Sequence, residues 1–128
     1  MTQATVHDRT YLRFRLEEET GRARRYGHPF GLLVFEAVPA TDALPIRMKV
    51  KQALAAIQAT VRGSDVIAQV YEDMLVVLLV ETEPQGVHDA LFRIRSRITR
   101  AAGKWQVTLL TFPDHAAQIA ALPFAQAA

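Results

Sequence analysis

Two apolar runs set close together constrain this chain most. Asp65-Val66-Ile67-Ala68-Gln69-Val70 and Met74-Leu75-Val76-Val77-Leu78-Leu79-Val80 are separated only by Tyr71-Glu72-Asp73. Each run is strand length and rich in β-branched residues, so the pair predicts a β-hairpin. A third run, Phe30-Gly31-Leu32-Leu33-Val34-Phe35, follows Pro29 and carries no polar side chain. That is the pattern of a strand buried on both faces. Burying both faces of a sheet needs helices on both sides.

The rest of the chain supplies them. From about His7 to Tyr26, Leu12, Leu16 and Ala23 fall on one helical face, with Asp8 as N-cap and Gly27 as C-terminal stop. Glu17, Glu18, Glu19, Arg22, Arg24 and Arg25 are expected to stay in water, with Glu18 pairing with Arg22 at i,i+4. Pro39 and Pro45 bracket a loop. From about Ile46 to Val61, Val50, Leu54, Ile57 and Val61 recur at helical spacing. Pro84 opens a third helix with Val87, Leu91, Ile94 and Ile98 on its apolar face and Gly103 as its end. Trp105 to Phe112 reads as a strand, and Pro113-Asp114 starts a short helix reaching Leu122, with a frayed tail at 126–128. The order is α-β-α-β-β-α-β-α: one α/β sandwich with a mixed sheet, spanning 1–128 as a single domain with its core at about 7–112 and a short helix and tail at 113–128.

Composition narrows the function classes. The 128 residues suffice for one buried core, and there is no cysteine, which removes disulfides, thiolate metal sites and cysteine nucleophiles. The net charge of +2 gives no whole-chain case for nucleic acid, and the basic run Arg93, Arg95, Arg97, Arg100 and Lys104 lacks interleaved aromatics. The longest apolar run, Met74 to Val80, falls far short of a membrane span. A cytoplasmic protein without membrane insertion is the expectation, with no sensor domain ahead of the first helix. His7, His28, His88 and His115 show no metal-ligand spacing, and Ser64 has no histidine nearby in sequence to act as base.

Several blocks, taken in order, resemble GGDEF (diguanylate cyclase) domains. Arg15 to Glu19 followed by Arg22-Ala23-Arg24-Arg25-Tyr26-Gly27-His28-Pro29 is similar to the family's opening helix and its exit. Leu32-Leu33-Val34-Phe35-Glu36 sits where the family has a first strand ending in a metal-binding Asp. Arg62-Gly63-Ser64-Asp65-Val66-Ile67-Ala68 is similar to the family's "RxSDxxAR", and Tyr71-Glu72-Asp73-Met74-Leu75 takes the place of the Gly-Gly-Asp-Glu-Phe turn. The resemblance runs from about His7 to Thr111 and implies a nucleotidyl cyclase or ferredoxin-like sandwich.

The departures imply a lost active site. Tyr71 and Glu72 replace two glycines that let the family's backbone approach the nucleotide. Asp73 keeps a carboxylate, but Met74 stands where the family has a catalytic acid, and Glu36 replaces the first-strand Asp. The guanine-reading "NDxxGHxxGD" has no counterpart in Pro39 to Met48, and the family's C-terminal "ADxALYxAK" helix is missing. The resemblance therefore implies no enzyme, no cofactor and no metal, with Glu36 and Asp73 as weak metal candidates beside Glu72. A solvated acidic turn is the plainer reading of these carboxylates. Tyr71 has two readings, a filler of the vacated pocket or an exposed turn residue.

What the resemblance leaves intact is the family's product-binding inhibitory site. Arg62 and Asp65 match its Arg-x-x-Asp, with Asp65 six positions before Tyr71, and the same counting past the turn puts the second arginine at Arg93. Cyclic di-GMP presents guanine O6 and N7 to an arginine fork and N1 and N2 donors to a carboxylate. The implied ligand set is Arg62 and Arg93 on guanine or phosphate and Asp65 on a guanine edge, with Arg95 and Arg97 as auxiliaries. The domain then reads as a cyclic di-GMP receptor acting on a protein partner or in a homodimer. Two alternatives stand beside it: Arg62 and Asp65 as a plain helix-end salt bridge, and the fold as a ligand-free interaction module.

Overall fold

The computed structural model describes residues 4–39, 44–98 and 103–126. Its elements are β1 (Val6–His7), α1 (Arg9–Tyr26), β2 (Phe30–Ala37), α2 (Ile46–Gln58), β3 (Val66–Tyr71), β4 (Met74–Leu79), α3 (Pro84–Arg97), β5 (Trp105–Phe112) and α4 (Ala116–Ala120), followed by a 3-10 turn at Pro123–Ala125. The five strands form one sheet in the order β1-β3-β4-β2-β5. All neighbours are antiparallel except β1, which runs parallel to β3. From β2 to β5 this is a βαββαβ unit with the hairpin's second strand beside the first strand of the unit.

β2 is the middle of the core. It pairs with β4 on one side and β5 on the other, and Phe30 to Phe35 are all buried. Alternation then sorts its side chains between two cores. Phe30, Leu32 and Val34 join Val66, Ala68, Val76 and Leu78 under α1 and the C-terminal segment. Leu33 and Phe35 join Ile67, Leu75 and Val77 under α2 and α3. Gly31 is required by packing: a Cβ there would lie 2.3 Å from Val87 Cγ2 of α3. The helix sits on the sheet at a distance only glycine permits.

The expected elements are present, with four corrections. β1 was not anticipated; His7 lies in this two-residue strand, and α1 starts at Arg9 behind the Asp8 cap, whose carboxylate accepts from Tyr11 N–H at 2.9 Å. Its stop is as expected, with Gly27 at φ 75°. Glu19 is not in water: it is 3 % exposed, held between Arg15 at 3.6 Å and Arg22 at 3.4 Å. Arg22 consequently pairs with Glu19 and Glu81, while Glu18 pairs with Arg15. α3 ends at Arg97 because Ile98 is already extended, so Gly103, at φ 75°, serves the entry to β5 instead. The C-terminal helix begins later than expected, at Ala116, after a turn in which Thr111 N–H donates to His115 Nδ1 at 2.9 Å. Most of the loop between Pro39 and Pro45, Arg100, and the tail past Gln126 lie outside the described residues.

Candidate ligand site

Arg62 and Asp65 meet at the turn that carries the chain from α2 into β3. Thr60 N–H and Val61 N–H both return to Ile57 O, closing α2, and Asp65 N–H donates to Arg62 O at 3.0 Å. The Asp65 side chain faces inward and is 2 % exposed. Its Oδ2 accepts from Arg62 N–H at 2.8 Å, and its Oδ1 accepts from Val80 N–H at 3.2 Å. The Arg62 guanidinium covers it, with Nη2 at 3.3 Å from Oδ1. The same Nη2 donates to Val80 O at 2.6 Å and to Thr82 Oγ1 at 2.9 Å. The pair therefore clips the α2–β3 turn to the end of β4.

The plain salt bridge is thus present, and it changes what each partner offers. Asp65 has both oxygens filled from within the protein. Arg62 is 58 % exposed, with Nη1 making no hydrogen bond to the described residues. In this conformation the arginine is the half of the motif that faces solvent.

A cleft of about 380 Å³ lies beside it, between the turn and α1. Arg15, Arg22, Glu19 and Glu81 line it together with Arg62, and the stacked His7 and Tyr11 rings, 3.8 Å apart, form its end wall. Nothing in the spacing of the motif announces these residues. Arg22 reaches Glu81 across a sequence separation that only the folded chain closes, at 3.0 Å. Glu81 itself holds φ at 45°, a left-handed conformation that costs a non-glycine residue on the order of 1 kcal/mol.

The α3 arginines diverge. Arg97 donates to Thr60 Oγ1 at 2.7 Å and so is tied to the end of α2, near Arg62 in the chain. Arg93, one turn earlier, shares that flank of the helix and is exposed. Arg95 lies on another flank, lining a groove with Val38, Ile98 and Trp105. The structure brings together Arg62 and Asp65, places Arg97 at the same helix end, leaves Arg93 exposed on that side and separates Arg95.

The Tyr71–Met74 turn lies at the other end of the hairpin. Tyr71 pairs with Met74, and the extra residue Val70 forms a bulge between that pair and Gln69 opposite Leu75. Neither Glu72 nor Asp73 has positive φ, so the turn closes without glycine. Glu36, Glu72 and Asp73 are exposed, and among the described residues no three His, Asp or Glu side chains are grouped to share a metal ion. Tyr71 is partly exposed, with the Arg9 guanidinium 5.5 Å from its ring centre. Met74 packs half-buried against the α1-side core.

No family model matches the sequence, and no curated protein does. Solved structures do match the fold. A DGC protein from Thermotoga maritima superposes with a TM-score of 0.73 at 12% identity, covering 87% of this chain and 85% of that one. The GGDEF domain of DgcB from Caulobacter crescentus, solved with c-di-GMP, gives 0.65 at 12% identity, covering 87% of this chain and 72% of its own. Diguanylate cyclase SiaD from Pseudomonas aeruginosa, in complex with its activator SiaC, gives 0.60 at 20% identity, covering 81% of this chain but 44% of SiaD. The chain has the GGDEF-domain fold.

Proposed function

We propose that this domain is a cyclic di-GMP receptor that does not turn over GTP. The observation that carries the reading is the exposed Arg62 guanidinium, held in place by buried Asp65 at the mouth of a charged cleft. A guanidinium already held in place loses little entropy when its remaining Nη1 donates to a guanine acceptor or a phosphate. Arg93 supplies a second cation from α3, and Asp65 serves mainly to orient Arg62. The fold is shared with a domain solved holding c-di-GMP, which supports the ligand class. The inactive assignment rests on Met74, a half-buried thioether where the resemblance places an acid, and on the side chains of Tyr71 and Glu72.

Calorimetry with cyclic di-GMP tests this. Wild type should release heat at tens of micromolar protein, and Arg62→Ala should weaken binding about tenfold or more, as the loss of a charge-assisted hydrogen bond does. No heat from wild type removes the receptor reading; undiminished binding by Arg62→Ala moves the site elsewhere. GTP with Mg²⁺ should give no product.

A ligand-free interaction module is the second reading. The completeness of the Arg62–Asp65 clip favours it, since the pair has a structural task without any ligand. SiaD is an example of this fold bound to a protein.

A further inference from the structure

β5 ends the sheet, so one side of its backbone faces away from β2. Which groups face outward follows from two sets of hydrogen bonds. Lys104 O accepts from Val38 N–H at 2.9 Å, so Lys104 and, by alternation, Gln106, Thr108 and Leu110 turn their backbone groups toward β2. Thr111 N–H and O are instead both bonded to His115, on the outer side. The outward set is therefore Trp105, Val107, Leu109 and Thr111. Thr111 is closed off by His115, and Trp105 takes part in an interaction of its own. Among the described residues, nothing is bonded to the outward N–H and C=O groups of Val107 and Leu109.

Short of Thr111, this edge carries none of the usual blocking features within the strand. Trp105 to Phe112 contains no charge and no proline, and its register against β2 runs without a bulge. It is also self-complementary. A two-fold axis through Thr108 sets Val107 opposite Leu109 of a second copy, and Leu109 opposite its Val107. Both are outward residues, so each pair exchanges two hydrogen bonds and the open groups of both copies are satisfied. In this register Trp105 falls opposite Thr111, whose groups are taken, so the ladder stops at these two pairs; a shift by two residues that put Val107 against Thr111 would lose one of them. The two-fold also keeps the two Lys104 side chains at opposite ends of the pairing.

We propose that two copies of this chain join antiparallel along β5, extending the sheet across a two-fold axis at Thr108. Thr108 faces its own copy in a non-hydrogen-bonded pair, where side chains come closest. It is exposed in the single chain, so changing it leaves the fold alone.

Sedimentation equilibrium on wild type, Thr108→Lys, Thr108→Glu and an equimolar mixture of the two variants tests the register. Wild type should dimerise. Each variant alone should raise the dimer dissociation constant about tenfold or more, because like charges meet at the axis. The mixture should recover dimer as the Lys–Glu heterodimer. A wild type that stays monomeric overturns the proposal. So do variants that associate like wild type, or a mixture no tighter than its components.

Discussion

The two ends of the β3–β4 hairpin carry the chain's two sets of suggestive polar residues, and they are built in opposite ways. At the α2 end, Asp65 is buried and each of its oxygens accepts a backbone N–H, while Arg62 ties the turn to Val80 and Thr82. At the turn end, Glu72 and Asp73 point into water, and the bonds that hold the turn end on its backbone carbonyls: Ala37 N–H donates to Asp73 O at 2.9 Å, and the Gln69 side-chain amide to Glu72 O at 3.2 Å. One end uses its side chains to shape the main chain. The other would keep its shape with almost any side chains at Glu72 and Asp73. A motif that resembles a ligand site can therefore be retained for folding alone, and stability and binding have to be measured separately.

Asp65→Ala should give the largest effect, about 3 kcal/mol of lost stability, because it strands two backbone donors and uncovers a guanidinium. A urea titration reads this as a lower midpoint at unchanged slope. Arg62→Ala should cost about 1 kcal/mol, since the exposed guanidinium is screened while Val80 O regains water. Its effect on cyclic di-GMP affinity should exceed its effect on stability, and the reverse ranking would favour the purely structural reading. The double change Tyr71→Gly with Glu72→Gly should cost less than about 1 kcal/mol, the entropy of two glycines at a strand end. It should restore no GTP turnover. Asp73→Ala should stay within about 0.5 kcal/mol in the same titration. A costly Asp73→Ala beside a neutral Asp65→Ala would invert the comparison.

The hairpin, the central strand and the helix caps were legible in the sequence because each depends on neighbours a few residues away: Asp8 with Tyr11, Gly27 with Ala23, Tyr71 with Met74. What was not legible depends on distant partners. β1 exists only because Val6 and His7 find Ile67 and Ala68. Glu19 falls on the buried stripe with Leu12, Leu16 and Ala23, and a charge on that stripe is tolerated only between Arg15 and Arg22. At the candidate site, the spacing of Arg62 and Asp65 pointed to a pair, but not to which partner would face solvent. The basic run on α3 reads as one patch along the sequence; helical geometry sends Arg97 to Thr60 and Arg95 to the β5 groove.

The missing Cβ at Gly31 has a mechanical consequence. Val87 is seated so closely on β2 that any side chain at position 31 would have to lift α3 off the sheet. Thr82, gripped by Arg62, lies just ahead of α3, so the start of the helix is held at two points, one polar and one apolar.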